Sequence, residues 1–266
     1  MPRKAREVSE TGMYHILLRG IDKKKIFLDE EDKRKFIDIM FKKRDRGNFK
    51  LYAYCIMDDH VHLVINMIQG RLSSDIKGIN IGFVFYFNKK YGKAGHLFYD
   101  RFKSETIKNE RQLLAAIRFV HNNPVKENIS KEAGEYEWSS CNLYKSESYD
   151  KHVSNNLKND SDEILYMFSP DKKEAVKIFT EFSKSDEIDI FCDYDVLDRD
   201  LELIRNRIMA KEVIAQSGIG EDASASDREV LRSVILKLRN EHNISLRQIA
   251  EILKLNRGLV QRLSAP

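Results

Sequence analysis

Cysteine is scarce in this chain: there are three in 266 residues, Cys55, Cys141 and Cys192, and none forms a Cys-x-x-Cys pair. The spacing excludes a disulfide framework and a cysteine-based zinc knuckle, so reduced thiols are expected. Long apolar runs are also missing; none approaches the roughly 20 residues a membrane-crossing helix needs. The first ten residues, MPRKAREVSE, lack the apolar segment of a secretory leader. The expectation is a globular, cytoplasmic protein, and 42% hydrophobic with 33% charged residues suffices for a core.

Net charge is only +4, but it is unevenly spread. Residues 1–150 carry 28 Lys/Arg against 21 Asp/Glu, residues 151–227 carry 10 against 18, and residues 228–266 carry 8 against 3. Two basic blocks thus flank an acidic middle. Basic blocks suit phosphate backbones, although solvated helix faces give the same count.

Hydrophobic periodicity predicts a strand over residues 13–19 and a helix over 29–46 with Phe36, Ile37, Met40 and Phe41 on one face. Strands over 49–57 and 61–67 follow, joined by Asp58-Asp59-His60. A second helix over 73–90 carries Ile76, Ile79, Ile81, Val84 and Phe87 and breaks at Gly92–Gly95. An extended segment covers 97–108, and a third helix over 111–120 stops before Pro124. This order predicts an α+β, ferredoxin-like sandwich, an antiparallel sheet with one face covered by helices. The polar stretch 146–163 reads as a linker between a domain over 1–145 and an acidic helical segment over 164–226. An all-α region over 227–266 closes the chain.

His60 and His62 stand at i and i+2 on a predicted strand, so both imidazoles project to one face while Val61 points into the core. Two same-face imidazoles are half of a divalent-metal site, though surface or packing histidines show the same spacing. Asp58 and Asp59 precede them as possible oxygen ligands or outer partners. Arg101 and Lys103 flank Phe102 on an extended segment, where cations could grip phosphate and Phe98, Tyr99 or Phe102 could stack on unpaired bases. Lys24 lies in the basic turn Lys23-Lys24-Lys25.

The segment Cys55-Ile-Met-Asp-Asp-His-Val-His-Leu-Val-Ile65 resembles the histidine-pair (HUH) segment of single-tyrosine transposases of the insertion-sequence-200 type, and within them the REP-associated tyrosine transposases. Four further blocks agree in order: Tyr14–Gly20 with Ile26–Asp29, Gly95–Lys103, Phe119-Val-His-Asn-Asn-Pro-Val-Lys126, and Trp138-Ser-Ser140. The resemblance covers about residues 10–145. It implies a divalent ion, Mg²⁺ or Mn²⁺, held by His60, His62 and Asn123, and a substrate of single-stranded or hairpin DNA. It also implies a tyrosine four residues before the third ligand that attacks phosphorus, and enzymes acting in pairs, hence a homodimer. At that tyrosine position stands Phe119, which has no hydroxyl. Three readings stay open: another tyrosine serves (Tyr99, Tyr91 or Tyr86), the ion activates water, or cleavage is lost and a DNA-binding regulator remains.

Residues 244–263 read as a helix-turn-helix. Ser245 caps a helix bearing Ile249, Ala250 and Leu253, Lys254-Leu255-Asn256 turns, and a second helix over 257–263 points Val260 and Leu263 inward. Arg257, Gln261 and Arg262 point outward, side chains that read base edges in a duplex major groove. A helix over 227–242 offers Val230, Leu231, Val234, Ile235 and Leu238 to complete a three-helix unit.

Overall fold

The computed structural model describes residues 6–99, 101–145, 155–184, 191, 206, 209–210, 212–217, 228–241 and 244–264. The chain divides into two compact units, residues 1–194 and 195–266. In the first, strands β1 (Met13–Arg19), β2 (Phe49–Ile56), β3 (His60–Met67) and β4 (Lys103–Thr106) form one antiparallel sheet in the order β2-β3-β1-β4. This is the ferredoxin-like arrangement expected from the element order.

Helices cover both faces of the sheet, not one. Helices α1 (Glu30–Arg44) and α2 (Leu72–Tyr91) pack on the face carrying Tyr14, Ile16, Leu18, Val61, Leu63 and Ile65. Asp29 caps α1 by accepting from the Asp32 amide, and Gly92 ends α2 in the left-handed conformation that glycine tolerates. The opposite face, with Tyr52, Ala53, Cys55 and Val64, is covered by α3 (Glu110–His121) and α6 (Asn155–Tyr166), against which α7 (Lys172–Ser183) packs. The short helices α4 (Asn123–Lys126) and α5 (Cys141–Lys145) lie between them in sequence.

Three sequence expectations shift. Helix α6 begins inside the stretch read as a linker; residues 146–154 lie outside the described residues. Asp160 of α6 is buried against Arg44 of α1, with Arg44 Nη2 2.6 Å from Asp160 Oδ2, so a charged residue faces the interior where periodicity places only apolar ones. The extended segment 97–108 forms ladder only over β4, with an isolated bridge between Phe98 and Gly20. Ile81, expected on the core face of α2, is 58% exposed.

In the second unit, α8 (Arg228–Asn240), α9 (Leu246–Ile252) and α10 (Arg257–Leu263) share a core of Leu231, Val234, Ile235, Leu238, Ile249, Ala250 and Val260. Ser245 and Gln248 cap α9 reciprocally, and Asn256 caps α10 by accepting from the Gly258 amide. Val230 turns to solvent rather than into this core.

Candidate functional site

Strand alternation places His60 and His62 together on the α3 face while Val61 enters the α1/α2 core. Their ring centroids are 5.1 Å apart, and both face Asn123 at the start of α4. His60 Nε2 lies 3.1 Å from Asn123 Oδ1, and His62 Nε2 lies 3.4 Å from Asn123 Nδ2. The site is closed in this conformation; all three residues are buried.

Two sets of partners orient the imidazoles. His60 Nδ1 donates to Asp59 Oδ1 at 2.8 Å. Asp59 is set by the turn at Gly20, whose amide donates to the Asp59 carbonyl; a Cβ on Gly20 would meet the Lys24 carbonyl at 2.2 Å. On the other side, His15 of β1 stacks on His62 at 5.1 Å, with His15 Nε2 2.9 Å from His62 Nδ1. His15 Nδ1 donates to Glu105 at 3.1 Å, because a carboxylate only accepts. In the neutral chain His15 Nε2 then accepts from His62 Nδ1, which leaves the His62 Nε2 lone pair facing Asn123. Burial works against a charge on His60, but the Asp59 hydrogen bond, the Asp59 and Glu127 charges and the Asn123 oxygen outweigh it and raise its pKa.

His15, Glu105 and Glu127 were not singled out from the sequence. His15 has the parity of Leu17 and Arg19 on β1, which was readable. Glu127 follows Asn123 by four residues, and its Oε1 stands 3.6 Å from His60 Nε2. Asp58 turns away, held by Lys25 at 2.8 Å and Lys33 at 2.7 Å.

The donors suit a divalent ion in kind: two imidazole nitrogens and an amide oxygen, each imidazole fixed by an outer partner. Among the described residues, no three His, Cys, Asp or Glu side chains are grouped as a metal site, so such a set depends on the Asn123 amide. At His60 an ion would compete with the proton that the present network favours.

Phe119 lies beside this cluster. Its ring stands edge-on to His15 and His62 at 5.6 and 5.5 Å, with Phe191 at 5.3 Å and Lys126 Nζ 3.7 Å from its centroid. Tyr86 and Tyr91 are not brought to the histidines; their hydroxyls bond Asp32 on the α1/α2 side of the sheet. Tyr99 is 48% exposed, its ring 4.5 Å from the guanidinium carbon of Arg19, and Arg19 pairs with His60 across β1 and β3.

The other predicted residues scatter. Lys24 is exposed and 3.9 Å from Asp22. Lys103 is on β4, whereas Arg101 lies before it, exposed. Phe98 and Phe102, expected as stacking rings, are buried in the core. Arg257, Gln261 and Arg262 are exposed on α10, and Arg262 Nε donates to the Gly258 carbonyl.

Residues 8–123 match the family model described as Transposase IS200 like. Among solved structures, a REP-associated tyrosine transposase bound to a REP hairpin is similar at 16% identity and a TM-score of 0.48, covering 59% of this chain and 93% of that one. A candidate transposase from Deinococcus radiodurans is similar at 16% identity and a TM-score of 0.33, covering 48% of this chain and 98% of that one. No curated protein matches the chain. Among the described residues, no helix is long and apolar enough to cross a membrane.

Proposed function

We propose that the chain is a DNA-handling protein on the IS200-like scaffold that has abandoned the covalent tyrosine route at residue 119. The observation that carries this reading is the packing of Phe119 against His15 and His62, where a hydroxyl would be needed. Single-stranded or hairpin DNA is the substrate of the first unit. The helices α8 to α10 act as a helix-turn-helix that reads duplex DNA through Arg257, Gln261 and Arg262. His60, His62 and Asn123 would hold Mg²⁺ or Mn²⁺, which would supply positive charge to a phosphate. Asp59 and the Glu105–His15 pair keep the imidazoles oriented toward that position.

A second reading, metal-dependent strand cleavage by Tyr99, is favoured by the Tyr99–Arg19 stack opposite His60. A tyrosine attack forms a phosphotyrosine ester and releases a 3′-hydroxyl, so no nucleotide cofactor is consumed. Incubating end-labelled hairpin and single-stranded DNA with Mn²⁺ and resolving products on denaturing gels separates the two. Retained binding without cleavage supports the first reading. Cleavage abolished by His60→Ala overturns it, and an adduct abolished by Tyr99→Phe assigns the nucleophile.

A further inference from the structure

The outer face of α2 carries apolar side chains that the core does not use. Phe85 is 73% exposed and Ile81 58%, and they lie one helical turn apart. Between α2 and the residues His96, Leu97, Phe98, Arg101 and Phe102 runs a groove of about 650 Å³. The cationic side chains Arg6, Lys77 and Arg101 line it, and no carboxylate does among the described residues. Arg6 ties its rim together: its guanidinium donates to the Phe102 carbonyl at 3.0 Å and lies 3.8 Å from the Phe102 ring centroid. Asn80 also lines the groove, and its buried Oδ1 has no hydrogen-bond donor among the described residues.

Exposed aromatic surface, an amide lacking a donor and cations of one sign together match one ligand chemistry. An unpaired nucleotide offers a flat ring for Phe85, N–H groups on its base edge and a phosphate for Lys77 or Arg101. We infer that this groove seats one or two unpaired nucleotides of a DNA strand, with Phe85 as the stacking platform. The role expected of Phe98 and Phe102 thereby passes to a residue on a different element. Near the groove residue Phe98, the Tyr99 amide bonds the Arg19 carbonyl at the end of β1, and Arg19 pairs with His60.

The inference rests on the proposed DNA-handling role, and the test separates the two. Full-length protein is titrated into a single-stranded oligonucleotide carrying 2-aminopurine, with a duplex titration in parallel. Phe85→Ala is expected to weaken single-strand binding about tenfold or more, in keeping with the loss of one stacked base. Phe85→Trp is expected to keep it, and Arg101→Gln to flatten its salt dependence. Unchanged melting temperatures show that these surface variants fold. Single-strand binding by wild type that is indifferent to Phe85→Ala overturns the groove assignment and leaves the wider reading intact. If Phe85→Ala instead converts a dimer to a monomer in sedimentation with DNA affinity unchanged, the groove belongs to a second copy of the chain and the inference fails. No binding of either oligonucleotide by wild type sinks both, and duplex binding alone overturns only the groove assignment.

Discussion

The ring of Phe119 meets the imidazole of His62 edge-on, with centroids 5.5 Å apart and planes 81° from parallel. The ring itself is buried, packed against His15 and Phe191 with the exposed Lys126 over its face. Phe119→Tyr, made with Tyr99→Phe to remove the rival hydroxyl, is expected to form a covalent adduct with labelled single-stranded DNA and Mn²⁺. The same change is expected to cost about 1–3 kcal/mol of stability where the hydroxyl finds no partner. A denaturing gel reads the first and urea unfolding the second. No adduct from a folded variant would mean that more than one missing oxygen separates this site from strand transfer.

The Glu105–His15–His62 chain sets which nitrogen of His62 is bare. Removing the carboxylate frees His15 to change tautomer and spoils the donor. Glu105→Ala is therefore expected to weaken Mn²⁺ binding about 10- to 100-fold, the usual effect of losing an outer partner. Glu105→Gln keeps an accepting oxygen and is expected to restore most of the affinity. Electron paramagnetic resonance of free Mn²⁺ measures both without reference to DNA.

Arg44 of α1 and Asp160 of α6 form a buried ion pair, and Asp160 also accepts from the Leu51 amide, which ties α6 to β2. Burial pushes the Asp160 carboxyl pKa up, and the Leu51 amide and Arg44 oppose that shift. Arg44→Ala leaves this carboxylate buried with its charge partner gone and is expected to destabilise the first unit by about 3–5 kcal/mol. Arg44→Met, which refills the volume, paired with Asp160→Leu is expected to cost much less. Equality of the two in urea unfolding would show that packing, not charge, holds α6.

Asp29 caps α1 and is bonded by Lys90 and Tyr91. The Lys90 hydrogen bond and the Asp32 amide hold its pKa below the ordinary value. For an acid with a depressed folded pKa, the stabilisation is complete above the unfolded value and is lost as pH falls through the folded one. Asp29→Asn keeps the cap but not the charge. The melting-temperature advantage of wild type over Asp29→Asn is expected at about pH 6 and to shrink toward about pH 3. A gap that does not change with pH would assign the effect to the cap geometry alone.

Arg257 stands exposed at the start of α10. If it contacts a phosphate of duplex DNA, Arg257→Ala lowers affinity on every sequence alike and reduces the salt slope by about one. If it reads a base, discrimination at one position falls instead, by about 1–3 kcal/mol. Titrations at several salt concentrations against matched and shuffled duplexes decide between them, and no change in either would remove Arg257 from the interface.

Much of the first unit was legible because its strands alternate cleanly. The same alternation that puts Val61 in the core predicts that His60 and His62 share a face, and the four-residue step from Phe119 to Asn123 brings the amide to them. Glu127 needed only one further step of four, and His15 only the parity of β1. What periodicity could not show was polar burial. Asp160 sits inside because Arg44 neutralises it, and a pattern of apolar residues reads such a segment as linker. Phe98 and Phe102 failed for the opposite reason: in a segment with little ladder pairing, sequence does not tell which side faces the core.

Strand β1 does two jobs on one backbone. Tyr14, Ile16 and Leu18 fill the α1/α2 core, while His15 reaches His62 and Arg19 reaches Tyr99. Because neighbouring residues point to opposite faces, a slip of one residue would exchange the two sets completely. The phase of this strand is thus a shared clock for folding and chemistry. A chain cannot mis-set its site here without also burying an arginine, and selection for a well-packed sheet preserves the alignment of the histidine face even where no reaction is being selected.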